Sequence, residues 1–247
     1  MTDRKKWLSD KIKNSNSLIK LEGIVDNSKE WISEKLDESS TYNSLQDKLS
    51  KLIDGEFEAT IVRKKNKYET EPDSRPTREN VNSLIKICVL KNAGISGGST
   101  LIPGPWGMVA VAPEIALVIK NQIDLIYDIG VANGKQASIN KELLAGIALS
   151  ALGSGAAGLL VMHGGKVLVK RSSLRVFQKI IALLAGKVTQ QALKSSISKW
   201  LPIAGAAFMA WLSGHITQRI GNLAHEIFQK EIEISESEVD ENDIPNE

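Results

Sequence analysis

The pattern of apolar and polar residues in the first part of this 247-residue chain predicts helices. From residue 1 to 54, apolar side chains recur every three or four positions, which is typical of amphipathic helices. Ser and Asn residues separate these segments. Ser40 or Thr41 is placed to cap the third helix, which Gly55 would end. The pattern predicts an amphipathic helical arm over residues 1–68.

A polar linker follows the arm. Residues 69–78 contain two prolines, no apolar residue and charges of both signs, which indicates a boundary between domains. One helix is predicted over Asn80–Asn92, before a run of glycines, and a longer one over Pro113–Gly130. We therefore predict a linker at 69–78 and an apolar helical domain at 79–230.

The longer helix carries three charged residues at intervals of four positions: Lys120, Asp124 and Asp128. That spacing places them on one edge of the helix, where neighbours of opposite charge can form ion pairs. We interpret this edge as a solvated face whose ion pairs lie within the helix. An acidic group buried between helices is the alternative.

The most apolar stretch extends from Leu143 to Met162 and contains no ionisable side chain. As one helix it would be about 30 Å long, which is about the thickness of the hydrocarbon layer of a bilayer. Gly and Ala are frequent here and again after Pro202, and small residues let helix backbones approach closely. We predict an all-α, multi-helix bundle with Gly/Ala-rich apolar helical hairpins at 143–162 and 202–218. A very apolar helical core is the other interpretation of this stretch.

Charge is distributed unevenly, although the chain as a whole has a net charge of only +2. Residues 143–225 contain nine Lys and Arg and no Asp or Glu, whereas residues 226–247 contain one basic and nine acidic residues. The segment 231–247 is highly charged and poor in apolar residues, so we predict a disordered acidic tail. The opposite charges also predict that this tail folds back on the basic segment.

The basic residues that follow the apolar stretch are candidates for a membrane-surface site. Cytoplasmic segments beside a membrane are rich in Lys and Arg, and each contributes about 1 kcal/mol near an anionic surface. Trp side chains are frequent at the level of the lipid headgroups. The candidate residues are Lys166, Lys170, Arg171, Arg175, Lys179, Lys187, Lys194, Trp200 and Trp211.

No motif in the chain predicts catalysis. Gly153–Gly158 matches the G-x-G-x-x-G pattern of dinucleotide-binding proteins. However, only seven residues separate it from the strand-like Lys166–Val169, whereas a crossover between parallel strands needs about a dozen or more. The acidic residue that such a site needs is also missing, since no Asp or Glu occurs between it and Glu226. The three histidines are too far apart for a local metal motif. We predict a non-enzymatic protein with no catalytic, cofactor-binding or metal-binding residues.

Composition also predicts location and partners. Cys88 is the one cysteine, which fits a reducing compartment and a small core residue. The charged N-terminus contains no secretory signal, so we expect the cytoplasmic face of the cell membrane or, alternatively, the cytoplasm. The nearly balanced charge argues against nucleic acid as a partner. We expect anionic lipid headgroups or a membrane protein, and leave homo-oligomerisation open.

Several short motifs of Gly, Pro and aliphatic residues occur in the apolar domain. They are Asn92–Gly98, Val111–Ile115, Gln122–Gly130, Leu201–Ala206 and Ala224–Phe228. Together they resemble the EcsC family of bacterial helical proteins, over about residues 85–229. The resemblance implies a helical, membrane-linked bacterial protein associated with an ABC-transporter locus, and it provides no catalytic residues.

The leading hypothesis is a membrane-associated helical protein whose hairpins insert into or dock on the inner leaflet, in support of a transporter or envelope process. The alternatives are a soluble all-helical interaction module in a larger assembly, and a pore-forming effector that releases an apolar hairpin when triggered. Under the leading hypothesis the acidic tail competes with anionic lipid. Deleting residues 231–247 is then expected to strengthen binding to anionic vesicles.

Overall fold

Helices make up most of the computed structural model, which describes residues 40–98, 112–153, 158–196, 202–241 and 244. Six α-helices and three β-strands lie within these residues. The helices are α1 Ser40–Thr70, α2 Val81–Gly98, α3 Ala112–Ala132, α4 Lys141–Ala151, α5 Leu174–Ser196 and α6 Pro202–Phe228. The strands are β1 Leu160–His163, β2 Lys166–Arg171 and β3 Glu231–Glu238. The prediction of an all-α fold is confirmed, with one small sheet added. The amphipathic helices predicted before Ser40 lie outside the described residues.

Helix α1 is longer than predicted. It extends from Ser40 through Gly55 to Thr70, past the end predicted at Gly55. An exposed glycine inside a helix costs at most about 1 kcal/mol relative to alanine. Burial of Ile53 and Phe57 on either side of Gly55 outweighs that cost, since each contributes about 1.5–3 kcal/mol.

Helices α2, α3 and α6 pack against one another through small residues. A side chain added at Gly221 of α6 would place its Cβ only 2.6 Å from Cγ1 of Ile85 in α2. A Cβ at Gly130 of α3 would lie 2.8 Å from the Phe228 ring. The small residues of α6 therefore let this helix approach α2 closely within the protein.

Helix α4 lies in the core. The Asn140 side chain caps it by accepting a hydrogen bond from the Leu143 N–H at 2.8 Å, and every residue from Leu143 to Leu149 is buried. The helix ends at Ala151, and Gly153 adopts a φ of +80° that favours glycine. The prediction of one apolar helix over Leu143–Met162 is therefore wrong, because this turn ends α4 and the chain then enters β1.

The burial of α4 agrees with the other interpretation of the apolar stretch, a very apolar helical core. Within the described ranges, none of the helices combines the length and the hydropathy needed to cross a bilayer.

The sheet has the order β1-β2-β3. Strands β1 and β2 form an antiparallel hairpin around Gly164, whose φ is +60°, and β3 pairs with β2 in parallel. Lys166–Arg171 forms a strand in which the β-branched Val167 and Val169 are buried, whereas Lys166, Leu168 and Lys170 on the other face are half-buried or exposed. The prediction of disorder is wrong for Glu231–Glu238, because the exposed edge of β2 provides its backbone partners.

The described residues from Ser44 onward form one compact unit. Most of α1 therefore belongs to the same unit as α2–α6. Two short 3₁₀ turns, Pro72–Ser74 and Arg78–Asn80, lie at the predicted linker, and the domain boundary there stays a prediction.

We expect Gly221→Ala to destabilise the protein by about 1–3 kcal/mol, because its Cβ would collide with Ile85. The matched control is Gly55→Ala, whose Cβ would have no heavy atom within 4 Å. The control should stabilise the fold by about 0.5–1 kcal/mol through helix propensity. Urea unfolding measures both changes, and equal effects would refute the close packing of α6 on α2.

Candidate functional site: a basic face paired with an acidic segment

Strand β2 and the first turns of α5 present a group of basic side chains, which we call the basic face. Its members are Lys166, Lys170, Arg171, Arg175 and Lys179. Only two residues connect β2 to α5. One of them, Ser172, donates a hydrogen bond from its hydroxyl to the buried Glu142 carboxylate at 2.9 Å. The core helix α4 therefore fixes the point where the strand and the helix of the basic face meet.

An acidic segment, residues 231–241, lies against this face. In the parallel ladder Lys166 is the register partner of Glu231, and Leu168 is the partner of Glu233. The Lys166 ammonium lies 3.4 Å from the Glu231 carboxylate and donates a hydrogen bond to Glu233. The hydrogen bond to Glu233, together with the charge of Glu231, raises the pKa of Lys166.

The far end of the acidic segment meets the start of α5. Lys179 donates a hydrogen bond to the Glu241 carboxylate, and the Arg175 guanidinium lies 3.7 Å from the same carboxylate. The hydrogen bond from Lys179 and the charge of Arg175 lower the pKa of Glu241. This pairing is therefore present at neutral pH and is lost as the pH falls through that lowered pKa.

Two of the predicted membrane-surface residues, Lys187 and Trp211, lie outside this pairing. Lys187 lies two turns beyond Lys179 on α5 and is half-buried. Trp211 is exposed and stacks on His215 with ring centroids 5.4 Å apart. Because Trp211 precedes the end of α6 by about 25 Å of helix, it lies away from the strand that follows α6. The side chains of Lys194 and Trp200 lie outside the described residues.

Sequence reasoning missed the apolar residues at this site. Val239 and Ile244, within the acidic stretch, are only 4% and 8% exposed. Leu174, beside Arg175 at the start of α5, is 67% exposed. The available signal was the recurrence of Ile and Val among the acidic residues of the tail, which a disordered segment does not need.

A second cluster of charged residues joins α1 to α3, and we call it the polar seam. Its members are Glu56, Thr60, Arg63, Lys64 and Tyr68 of α1, and Lys120, Asp124 and Asp128 of α3. Lys120 pairs with Glu56 at 2.6 Å, and Arg63 pairs with Asp124 at 2.6 Å. The prediction of ion pairs within α3 is therefore wrong: α1 provides the partners, because the edge faces that helix and not solvent.

The polar seam is fully paired. Asp128 accepts hydrogen bonds from Lys64 at 2.7 Å and from the Tyr68 hydroxyl at 2.6 Å. Burial and the Asp128 carboxylate raise the pKa of Tyr68. Burial alone would raise the pKa of Glu56, but Lys120 holds it below its ordinary value. With each charge matched to a neighbour, these residues explain the register of α1 on α3.

A buried polar network lies between α2, α3 and α6. Asn121 donates to the Asn92 side chain at 2.8 Å, Asn92 donates to the Thr217 hydroxyl at 3.0 Å, and Gln122 donates to the same hydroxyl at 3.1 Å. Burial raises the pKa of the neighbouring Cys88 thiol to about 11. The Cys88 thiol is therefore protonated at neutral pH, as expected of a small core residue, and the network fixes the register of three helices.

In the part of the chain that the structure describes, no group of three or more His, Cys, Asp or Glu residues is arranged to hold a metal ion. No family model, no curated protein and no solved structure matches this chain. The resemblance to the EcsC family stays a prediction. The basic face, whose charges meet the acidic segment on the surface, is the candidate functional site.

Breaking the seam should measurably weaken the fold. Lys64 and Asp128 are only 13% and 15% exposed, so Asp128→Asn should cost about 1.5–3 kcal/mol, the usual value for a hydrogen bond to a charged group. The control is Asp47→Asn, which breaks the exposed pair with Lys51 and should change stability by less than about 0.5 kcal/mol. Urea unfolding measures both, and a small effect of Asp128→Asn would show that the seam does not hold α1.

Proposed function

We propose that this chain is a non-enzymatic, membrane-associated helical protein that binds anionic lipid headgroups of the inner leaflet through its basic face. The observation that carries the proposal is that β2 and the first turns of α5 contain five basic and no acidic side chains. Lys166, Arg175 and Lys179 are exposed, and their ionic partners come from the acidic segment that follows α6. The EcsC-like motifs of residues 85–229 support the same class of protein.

The proposed mode of binding is peripheral. Leu143, Leu144 and Ile147 are completely buried, and their transfer to lipid would first expose them from the core. Each such side chain stabilises the fold by about 1.5–3 kcal/mol when it is buried. Binding through exposed charged residues leaves this core in place. Each basic residue contributes about 1 kcal/mol near an anionic surface without leaving water.

An apolar contact adds to the charge. The exposed Leu174 stands at the first position of α5, beside Arg175 and three residues after Arg171. A leucine between two basic side chains suits the boundary of a bilayer, where the apolar side chain enters the acyl region and the charges remain at the headgroups. Binding by this face should weaken with salt, because the Debye length falls from about 30 Å at 0.01 M to about 8 Å at 0.15 M.

A second candidate function is an interaction module for an acidic, extended protein segment. The observation that favours it is β3 itself, which joins the edge of β2 as a parallel strand with Glu side chains facing Lys166. Strand addition of this kind is a common mode of peptide recognition. Lipid and peptide binding are distinguishable, since only the second needs the backbone edge of β2.

The triple variant Lys166→Gln/Arg175→Gln/Lys179→Gln should weaken binding of the full chain to vesicles of phosphatidylglycerol and phosphatidylcholine. Three lost charges at about 1 kcal/mol each correspond to about 100-fold at low ionic strength. Co-sedimentation with vesicles measures the change. The matched control is Lys65→Gln/Arg78→Gln/Lys86→Gln, which removes the same charge from exposed residues elsewhere.

Equal weakening by both triple variants would overturn the assignment to the basic face. If neither the wild type nor any variant prefers anionic vesicles over pure phosphatidylcholine vesicles, the proposal of lipid binding itself is overturned. Capture of a labelled acidic peptide by the full chain in that case would favour the second candidate.

A further inference from the structure

The acidic segment is attached to the body by its backbone edge and not by buried side chains. None of the eight residues of β3 is buried. The pairing runs in register from Lys166 opposite Glu231 to Val169 opposite Ile234, and it shifts before Arg171 meets Glu238. A strand of this kind, with an exposed ladder and few apolar contacts, belongs to the part of a fold that opens most easily.

The residues after β3 hold it in place. The Val239 N–H donates a hydrogen bond to the Arg171 carbonyl at 2.9 Å, and the Val239 side chain is buried. Ile244 is buried five positions later. We call these two residues the latch. They differ from the apolar residues within β3, since Ile234, for example, is 45% exposed.

The same basic groups cannot pair with the acidic segment and with a lipid surface at one time. Glu241 places a carboxylate between Lys179 and Arg175, the two basic residues of α5 that lie one turn apart. Glu231 and Glu233 occupy Lys166 at the other end of the face. The segment therefore presents to the basic face the charge that an anionic headgroup would present.

We infer that the acidic segment, residues 231–241, is a displaceable cover of the basic face, held by the latch of Val239 and Ile244, and that an anionic lipid phosphate replaces Glu241 between Arg175 and Lys179. This inference rests on the proposed function. Only the open form binds lipid, so the apparent affinity is the intrinsic affinity multiplied by the open fraction. A cover that occupies the face about nine-tenths of the time lowers the apparent affinity about tenfold.

The decisive variant opens the latch without changing the charge. Val239→Asn in the full chain should speed hydrogen exchange of the β3 amides and leave those of α4 unchanged. It should also raise affinity for vesicles of phosphatidylglycerol and phosphatidylcholine by about tenfold. The matched control is Ile234→Asn, the same kind of change at a half-exposed position of the same segment, which should alter neither measurement.

A second pair of variants tests the ionic contacts. Glu233→Gln/Glu241→Gln removes two carboxylates that pair with the basic face, and Glu236→Gln/Glu238→Gln removes two exposed ones for which the described residues provide no ionic partner. Net charge changes equally in both. The first pair should bind the vesicles more tightly than the second.

The outcomes separate the inference from the proposed function. Faster β3 exchange in Val239→Asn with wild-type vesicle affinity would overturn the cover, while the function stands if the wild type binds anionic vesicles through the basic face. Unchanged β3 exchange in Val239→Asn would overturn the latch. If the wild type, Val239→Asn and Glu233→Gln/Glu241→Gln all fail to bind the vesicles, the function and the inference are overturned together.

Discussion

Burial of α4 is the constraint on which the other elements depend. Its apolar side chains from Leu143 to Leu149 are enclosed by the neighbouring helices and by the β1–β2 hairpin. Gly146 leaves room for Leu160, since a Cβ there would lie 2.5 Å from the leucine Cγ. At the first turn, Glu142 holds Ser172 at the junction of β2 and α5. One short helix thus positions the hairpin, the junction and, through them, the basic face.

Two polar systems give this apolar core a single arrangement. Apolar side chains of similar size tolerate more than one register, whereas a mismatched charge or a buried amide without a partner costs several kcal/mol. The polar seam places Lys120 opposite Glu56 and Asp128 opposite Lys64. A shift of α1 by one turn would place either Glu56 opposite Asp124 or the uncharged Thr60 opposite Lys120. The buried hydrogen-bond network around Asn92 fixes the register of α2, α3 and α6.

Local sequence signals predicted where helices start. The features that were predicted wrongly depend on pairing between residues that are far apart in the chain. Pro113 and Pro202 marked the beginnings of α3 and α6 to within a residue, because proline at the first helical turn acts through its own φ. The Leu143–Met162 stretch has the composition of a membrane helix and of a core helix alike. The partners of Asp128 lie about 60 residues earlier in the chain, and those of β3 lie on β2, about as far away. The spacing of residues along one helix contains no information about the partners of Asp128 or of β3. The basic residues of the candidate site were therefore predictable as a group, but the arrangement that pairs them with Glu241 and buries Val239 was not.

The parallel pairing of β3 with β2 also has a consequence in time. Two helices, α5 and α6, separate the strands, so that roughly 60 residues are synthesised between them. At 5–20 residues per second, the ribosome needs about 3–12 s for that distance. During each round of translation the basic face is complete before its acidic partner exists. Under the proposed function, a nascent chain near an anionic membrane would thus meet lipid first and its own β3 second, so the order of synthesis would favour the lipid-bound form of a newly made molecule.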